Sequence, residues 1–274
     1  LDEGSVRKLL RMHVDAGTSA VVPAGCTGEA ATLDFDERMR LLEICLEEVG
    51  DRLPVIPGTG TNSTRETVRL TKAAARAGAH AALVITPYYN KPTPRGQFDH
   101  YRAVAEESGL PIVVYNVPSR TGVNMLPETI ARLSETPNIV AVKEAGGSVD
   151  RVSAILELCD ITVLSGDDPL TLPMLSVGAR GVVSVVANVL PGHVARLCAS
   201  YPGDPEGALA LHRELRSVST SLFLETNPGP VKHVAAELGL IESAELRAPL
   251  ATPTEETRSR LAATVDRVKA MSAS

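Results

Sequence analysis

Lys143 ends the run Asn138-Ile139-Val140-Ala141-Val142-Lys143, an amine placed directly after four apolar residues with the pattern of a buried strand. An ammonium is strongly hydrated, and a lysine carried to the rim of a core gives up part of that hydration, which favours the neutral amine. A neutral amine attacks a ketone to form a Schiff base. The plain alternative is a snorkelling lysine, its stem packed and its head in water. The company it keeps weighs against that alternative, because polar residues gather after several other apolar runs of the chain. Gly25-Cys26-Thr27-Gly28-Glu29 is one such cluster, and Thr86-Pro87-Tyr88-Tyr89-Asn90 is another. Two more are Tyr115-Asn116-Val117-Pro118-Ser119-Arg120-Thr121-Gly122 and Ser165-Gly166-Asp167-Asp168. Thr27, flanked by glycines, can offer backbone amides and a hydroxyl to a carboxylate, although the same glycines would also serve a tight turn.

The elements that must position these residues repeat along the chain. Strands are predicted near Ala20 to Pro23, Val55 to Pro57, Ala82 to Thr86, Ile112 to Asn116, Ile139 to Lys143, Thr162 to Ser165 and Val182 to Val185. Helical periodicity falls between them, at Glu37 to Val49, Thr64 to Ala77, Gly96 to Glu107 and Pro127 to Ser134. Such alternation implies an α/β protein with a parallel sheet, either a closed (β/α)8 TIM barrel or an open doubly wound sheet. No GxGxxG or GxxxxGK follows a strand, which disfavours the open nucleotide-binding form. The chain opens on a helix, Gly4 to Ala16, so a barrel's first strand is expected upstream of Leu1. Helical text closes it, at Pro191 to Ser200, Pro205 to Phe223, Val231 to Leu238 and Pro253 to Met271. The expected division is residues 1–190 as the barrel lacking its first strand, and 191–274 as the last barrel helix with a C-terminal helical appendage. Barrels of this kind carry their chemistry at the carboxyl ends of strands, where the polar clusters stand.

Composition narrows the partners. A net charge of -6 with no basic stretch argues against nucleic acid. No apolar stretch approaches the roughly 20 residues of a membrane-spanning helix, so no membrane partner is expected. Cys26, Cys45, Cys159 and Cys198 are scattered without metal-ligand spacing, as reduced thiols of a cytoplasmic protein would be. His13, His80, His100, His193, His212 and His233 show no paired ligand spacing either, and no metal is expected. Asp167 and Asp168 read as caps of a following helix rather than as cation ligands.

Taken together, from about Gly4 to Arg267, the loops resemble the dihydrodipicolinate synthase and N-acetylneuraminate lyase family of class I aldolases. The GxTGE loop and the lysine strand belong to the family at large. Thr86 to Pro92, Tyr115 to Gly122 and Asn227 to Lys232 are similar to its synthase branch rather than to the sugar-acid lyases. The resemblance implies that Lys143 forms an imine with pyruvate, without any cofactor. The derived enamine would add to L-aspartate 4-semialdehyde to give 4-hydroxy-tetrahydrodipicolinate, on the diaminopimelate and lysine route. Tyr115 then matches the central proton-relay tyrosine, and Tyr89 a tyrosine lent across a subunit interface. Thr27 matches the residue that holds the pyruvate carboxylate, and Arg120 the one that receives the semialdehyde carboxylate. Gly166 and Val183 match the lining of the pyruvate pocket. A homo-oligomer is implied, a tetramer of tight dimers by analogy.

Cys26 departs from the pattern, standing where the synthases carry a relay threonine and the sugar-acid lyases a serine. A thiol is a larger and weaker hydrogen-bonding group, so the relay is expected to use it poorly or to bypass it. Two other readings stay open. One is a sibling pyruvate-dependent aldolase acting on a sugar-acid aldehyde; the other is a pyruvate-binding protein without catalysis, disfavoured by the joint presence of Lys143, Tyr115, Thr27 and Arg120. At the family's lysine-inhibition site Asn62, Glu66 and Tyr88 match, but Phe35 and Arg38 replace histidines, and an added cation opposes a cationic ligand. Weak lysine inhibition is therefore expected.

Overall fold

The computed structural model describes residues 1–273. It divides into two compact units, one of Pro54–Val183 and the other of Leu1–Leu53 with the chain from Ser184 onward.

The unit of Pro54–Val183 is built on a parallel sheet in the order β1 (Ala82–Ile85), β2 (Ile112–Asn116), β3 (Ile139–Glu144), β4 (Thr162–Ser165) and β5 (Gly181–Val182). A parallel sheet needs a crossover between neighbours, and each link here carries a helix, such as Pro94–Ser108 between β1 and β2 or Pro127–Ser134 between β2 and β3. β2 is buried at every residue, as its run Ile-Val-Val-Tyr-Asn leads one to expect of a central strand covered on both faces. Its helices start on sequence signals: Ser63 accepts a hydrogen bond from the Glu66 amide, Thr93 from the Gly96 amide, and Pro94 and Pro127 occupy first turns.

One irregularity governs the rest. Ile112 of β2 pairs with Ile139 of β3, but the next residue, Val113, pairs with Ala141. Val140 is left out of the pairing and is 48% exposed. Beyond this bulge Tyr115 faces Lys143 and Asn116 faces Glu144. Had the pairing of Ile112 with Ile139 run on unbroken, Tyr115 would have met Val142 and Asn116 would have met Lys143.

The expected strands at Ala20 to Pro23 and Val55 to Pro57 are much reduced: Val21, Val55 and Gly58 are isolated ladder residues. Pro23, Pro54 and Pro57 have no amide to donate, and Ala24 turns into the left-handed region at φ 52°. The segment after Pro54 nevertheless follows β1, with the His80 amide donating to the Val55 carbonyl at 3.0 Å and the Leu83 amide to that of Pro57 at 3.0 Å. The strand expected at Val182 to Val185 is also shorter, because the chain enters a 3-10 turn at Val186–Asn188.

In the other unit, helix Glu3–Asp15 packs on helix Phe35–Val49, burying Leu10, Leu42, Ile44 and Val49. Ion pairs from Arg40 to Glu3 at 2.7 Å and from Arg7 to Glu48 at 3.1 Å border that contact. Ion pairs at or near the surface contribute little, about 0–1 kcal/mol each, so the apolar contact carries the packing. The C-terminal text forms the helices expected of it: Pro191–Ser200 against Pro205–Ser221, and Gly229–Glu237 against Glu255–Ser272. No helix among the described residues is long and apolar enough to cross a membrane.

Candidate active site

The carboxyl ends of β2, β3 and β4 bring three of the expected residues together. Side chains of neighbouring parallel strands that share a register share a face, so Tyr115 and Lys143 point the same way. The Lys143 Nζ stands 4.1 Å from the centroid of the Tyr115 ring. Tyr115 is buried and Lys143 half-buried, so the amine is partly withdrawn from water while its tip remains reachable. On the β4 side a Cβ at Gly166 would lie 3.0 Å from Lys143 Cε and 3.2 Å from Cγ. Contacts that short are tighter than most real side chains make, so a side chain at Gly166 would press the lysine stem aside by a few tenths of an ångström. Val183 is tied to the same edge, its amide donating to the Ser165 carbonyl at 2.9 Å.

Helix Pro94–Ser108 braces this edge from below. Tyr101, fully buried, donates from its hydroxyl to the Val84 carbonyl at 3.0 Å, and burial pushes its phenol pKa up. Thr86, at the end of β1, gives both its amide and its hydroxyl to the Tyr115 carbonyl, each at 2.9 Å. The backbone beneath the Tyr115 ring is thereby fixed from the β1 side.

Asn116, Glu144 and Arg151 form a network behind the pair that sequence reasoning missed. Glu144 has no solvent exposure at all. Its Oε1 accepts from Asn116 Nδ2 at 3.0 Å and from the Gly146 amide at 2.6 Å. Its Oε2 accepts from Asn116 Nδ2 at 3.1 Å and from Arg151 Nη2 at 3.1 Å. Arg151 also donates to the Met125 carbonyl at 2.7 Å, and the Met125 amide donates to Asn116 Oδ1 at 3.0 Å. The one signal in the sequence was alternation: the residue after an inward lysine must point to the opposite face, and here that residue is an acid.

Arg120 lies on a single helical turn, Pro118–Thr121, and its side chain is exposed. Tyr89 follows β1 with its backbone in the left-handed region at φ 71° and is 88% exposed, the most exposed of the large apolar side chains among the described residues. A non-glycine residue in that region costs about 1 kcal/mol or more, and an exposed aromatic ring gains nothing from it in an isolated chain. Asp167 follows Gly166, and burial raises its carboxyl pKa. The Asp167 side chain does not make the cap expected of it, and the Thr171 hydroxyl donates to the Asp167 carbonyl at 3.2 Å.

Thr27 and Cys26 belong to the other unit, in the turn that follows Val21. The Glu29 amide donates to the Cys26 carbonyl at 3.2 Å and the Ala30 amide to that of Gly25 at 3.2 Å, which closes the loop. Asn227 Nδ2 donates to the Thr27 hydroxyl at 2.9 Å, leaving that hydroxyl its own proton to give. Glu29 anchors the loop to later chain, accepting from Lys232 Nζ at 2.8 Å and from the Arg247 amide at 2.9 Å. Arg247 in turn grips Glu37 through both guanidinium nitrogens, and that hydrogen bonding lowers the Glu37 carboxyl to about 2. The sequence marked Asn227 to Lys232 as a motif without a task; its two polar ends hold Thr27 and Glu29. No group of three or more potential metal ligands occurs among the described residues.

The model of the dihydrodipicolinate synthetase family matches residues 1–268. The 4-hydroxy-tetrahydrodipicolinate synthase of Pelobacter propionicus is 49% identical over 96% of this chain and 91% of its own length. Among solved structures, dihydrodipicolinate synthase from Aquifex aeolicus superposes with a TM-score of 0.95 at 43% identity, covering 98% of this chain and 92% of that one. The chloride-inhibited dihydrodipicolinate synthase from Acinetobacter baumannii, solved in complex with pyruvate, gives 0.95 at 41% identity over 98% and 93%. These likenesses settle the fold class as the α/β, (β/α)8 TIM barrel with a C-terminal helical region.

Proposed function

The chain belongs to the dihydrodipicolinate synthetase family, and from that premise we propose that it condenses pyruvate with L-aspartate 4-semialdehyde to 4-hydroxy-tetrahydrodipicolinate, using a lysine imine and no cofactor. The observation that carries this reading is the Lys143 amine, 4.1 Å from the centre of the Tyr115 ring at the end of a buried parallel sheet.

The Lys143 nitrogen adds to C2 of pyruvate, and the former carbonyl oxygen leaves as water once it has received a proton. Loss of a C3 proton turns the imine into an enamine. C3 then forms a bond to the aldehyde carbon of the semialdehyde, whose oxygen takes a proton and becomes a hydroxyl. Finally the substrate's own amine attacks C2, the ring closes, and Lys143 departs as the free amine. Tyr115 supplies and accepts these protons, a role for which a phenol held beside the nitrogen is suited. Thr27 holds the pyruvate carboxylate, with Asn227 orienting its hydroxyl. Gly166 and Val183 shape the space for the small keto acid. Cys26 stands at the relay position, where its thiol takes part weakly or is bypassed by water.

Tyr89 completes the relay in the partner subunit, and its exposed ring on a strained backbone supports an oligomer, a tetramer of tight dimers. The cytoplasm, where scattered thiols stay reduced, is the compartment proposed. The division into a barrel over residues 1–190 and a last barrel helix with helical appendage over 191–274 is retained as a proposal.

Borohydride reduction in the presence of pyruvate, followed by mass spectrometry of the digest, tests the reading. A reduced pyruvate adduct on the peptide containing Lys143 is expected; no adduct, or one on another residue, overturns it. The acceptor is decided by Arg120. Arg120→Leu is expected to raise KM for the semialdehyde by about 10- to 100-fold, the value of a charge-assisted hydrogen bond, and to leave the pyruvate adduct unchanged. Steady-state kinetics with each substrate varied in turn checks this. Faster turnover of a sugar-acid aldehyde than of the semialdehyde would transfer the assignment to a sibling aldolase.

A further inference from the structure

The active pair is held from behind. At the ends of β2 and β3 two register-matched pairs sit back to back: Tyr115 with Lys143 on one face, Asn116 with Glu144 on the other. A carboxylate with no exposure is costly unless its oxygens are fully satisfied and its charge is balanced. Here Asn116 bridges both oxygens, the Gly146 amide takes Oε1, and Arg151 takes Oε2. The same arginine and asparagine grip Met125, so the chain beyond β2 and the first turn of helix Asp150–Leu156 close on one carboxylate. Gly146 permits this closeness, since a Cβ there would lie 2.5 Å from Glu144 Oε1.

We infer that Glu144, charge-balanced by Arg151 and bridged to β2 by Asn116, is the positioning residue that holds Lys143 opposite Tyr115 and sets the charge behind the reactive amine. This rests on the pyruvate-imine reading above and assigns the part of the fold that makes it work. Asn116 and Glu144 are each the next in sequence after a reactive residue, so a rotation or slide of either strand end would move both pairs together. The lock acts twice. Its hydrogen bonds fix the spacing of amine and phenol, and its neutral ion pair presents no net charge to the amine through the strand.

Glu144→Gln distinguishes this from a merely structural role. Both carboxylate oxygens already face donors, so the amide nitrogen of a glutamine meets a donor whichever way it turns. The resulting misplacement of the amine, on the order of 1 Å, costs roughly 10- to 100-fold in kcat, with KM for pyruvate changed less than about threefold. The charges move oppositely in the two single variants. Glu144→Gln leaves the Arg151 cation uncompensated, and the pH midpoint of borohydride trapping shifts down; Arg151→Met leaves the carboxylate uncompensated, and the midpoint shifts up. The double variant Glu144→Gln with Arg151→Met returns the midpoint toward the parent's while kcat stays low. The Tyr115 phenol from β2, whose ring centre lies 4.1 Å from the amine, and the Asp167 carboxyl in the loop after β4 also titrate at these strand ends, and all these variants leave both in place.

Midpoints that stay together in folded single variants overturn the inference, as does an unchanged kcat. Should Glu144→Gln or Arg151→Met fail to fold, Arg151→Lys decides. Both bonds leave the single nitrogen Nη2, which stands farther from the backbone than a lysine amine, so the variant keeps the charge but shortens the reach to Glu144 and the Met125 carbonyl. A fall in kcat of about three- to tenfold, with the pH midpoint unmoved, supports the lock. A kcat equal to the parent's sinks it. If the parent itself forms no adduct at Lys143, the functional reading falls and the inference with it; if only the variants behave as the parent does, the inference falls alone.

Discussion

Lys143→Met is expected to remove turnover, by roughly 10⁴-fold or more in kcat/KM, together with all borohydride-fixed pyruvate. The size of the effect follows from the role. A nucleophile that forms the covalent bond to substrate has no substitute among residues that only bind or polarise it, so no partial route of similar geometry remains. Methionine is chosen because it keeps the unbranched stem that fills the slot left open at Gly166, where Lys143 Cε and Cγ would approach a Cβ to 3.0 and 3.2 Å. The fold should therefore be retained, with a thermal midpoint close to the parent's. Three measurements on one preparation check the expectation: steady-state turnover, intact mass after reduction with pyruvate, and thermal unfolding. An adduct that persists in the variant would place the imine elsewhere. A variant that unfolds far earlier than the parent would show the lysine stem to be a core residue first.

Tyr115→Phe is expected to lower kcat by about 10²- to 10⁴-fold, the contribution of a positioned proton donor and acceptor, while pyruvate is still trapped at Lys143. The phenylalanine ring keeps the surface over which the amine lies at 4.1 Å, and only the hydroxyl is lost. Imine formation can borrow protons from water more readily than the later carbon–carbon step and ring closure can. Trapping should therefore slow less than overall turnover. Comparing the single-turnover rate of adduct formation with kcat separates the two. A fall in kcat of less than about threefold would move the relay to another group, and Cys26 would be the first to examine.

The placement of Cys26 and Thr27 gives that question physical content. Their loop is held by backbone bonds and by Asn227, Lys232 and Arg247, none of which requires a hydroxyl at position 26. A thiol at position 26 leaves each of these anchors in place.

Much of this was legible from residue order. Helices such as Thr64–Ala77 and Pro127–Ser134 form where periodicity and caps place them, because capping and amphipathic spacing are local properties. The interior strands β1 to β4 were found for the same reason, as short apolar runs bounded by turn residues. The strands expected at Ala20 to Pro23 and Val55 to Pro57 are present only as single bridge residues, the second still bonded along β1, because apolar content does not reveal how many amides remain to pair once prolines intervene. Lys143, Tyr115, Arg120 and Gly166 were chosen from loop motifs. Glu144 was passed over because an acid after a lysine reads as a solvated rim, and nothing local tells that it is fully buried.

The order of residues determined by itself which groups could react, that they would stand at strand ends, and that helices would link the strands, since each depends on a few neighbouring residues. The tertiary structure alone decided which groups meet. Between β2 and β3 the pairing skips Val140, and that single skip places Lys143 rather than Val142 opposite Tyr115. Pairing between strands far apart in the chain is chosen by the whole ladder and by packing on both faces, and a shift of one residue turns every side chain to the other side. The same shift sets Asn116 against Glu144 and creates the buried lock behind the amine.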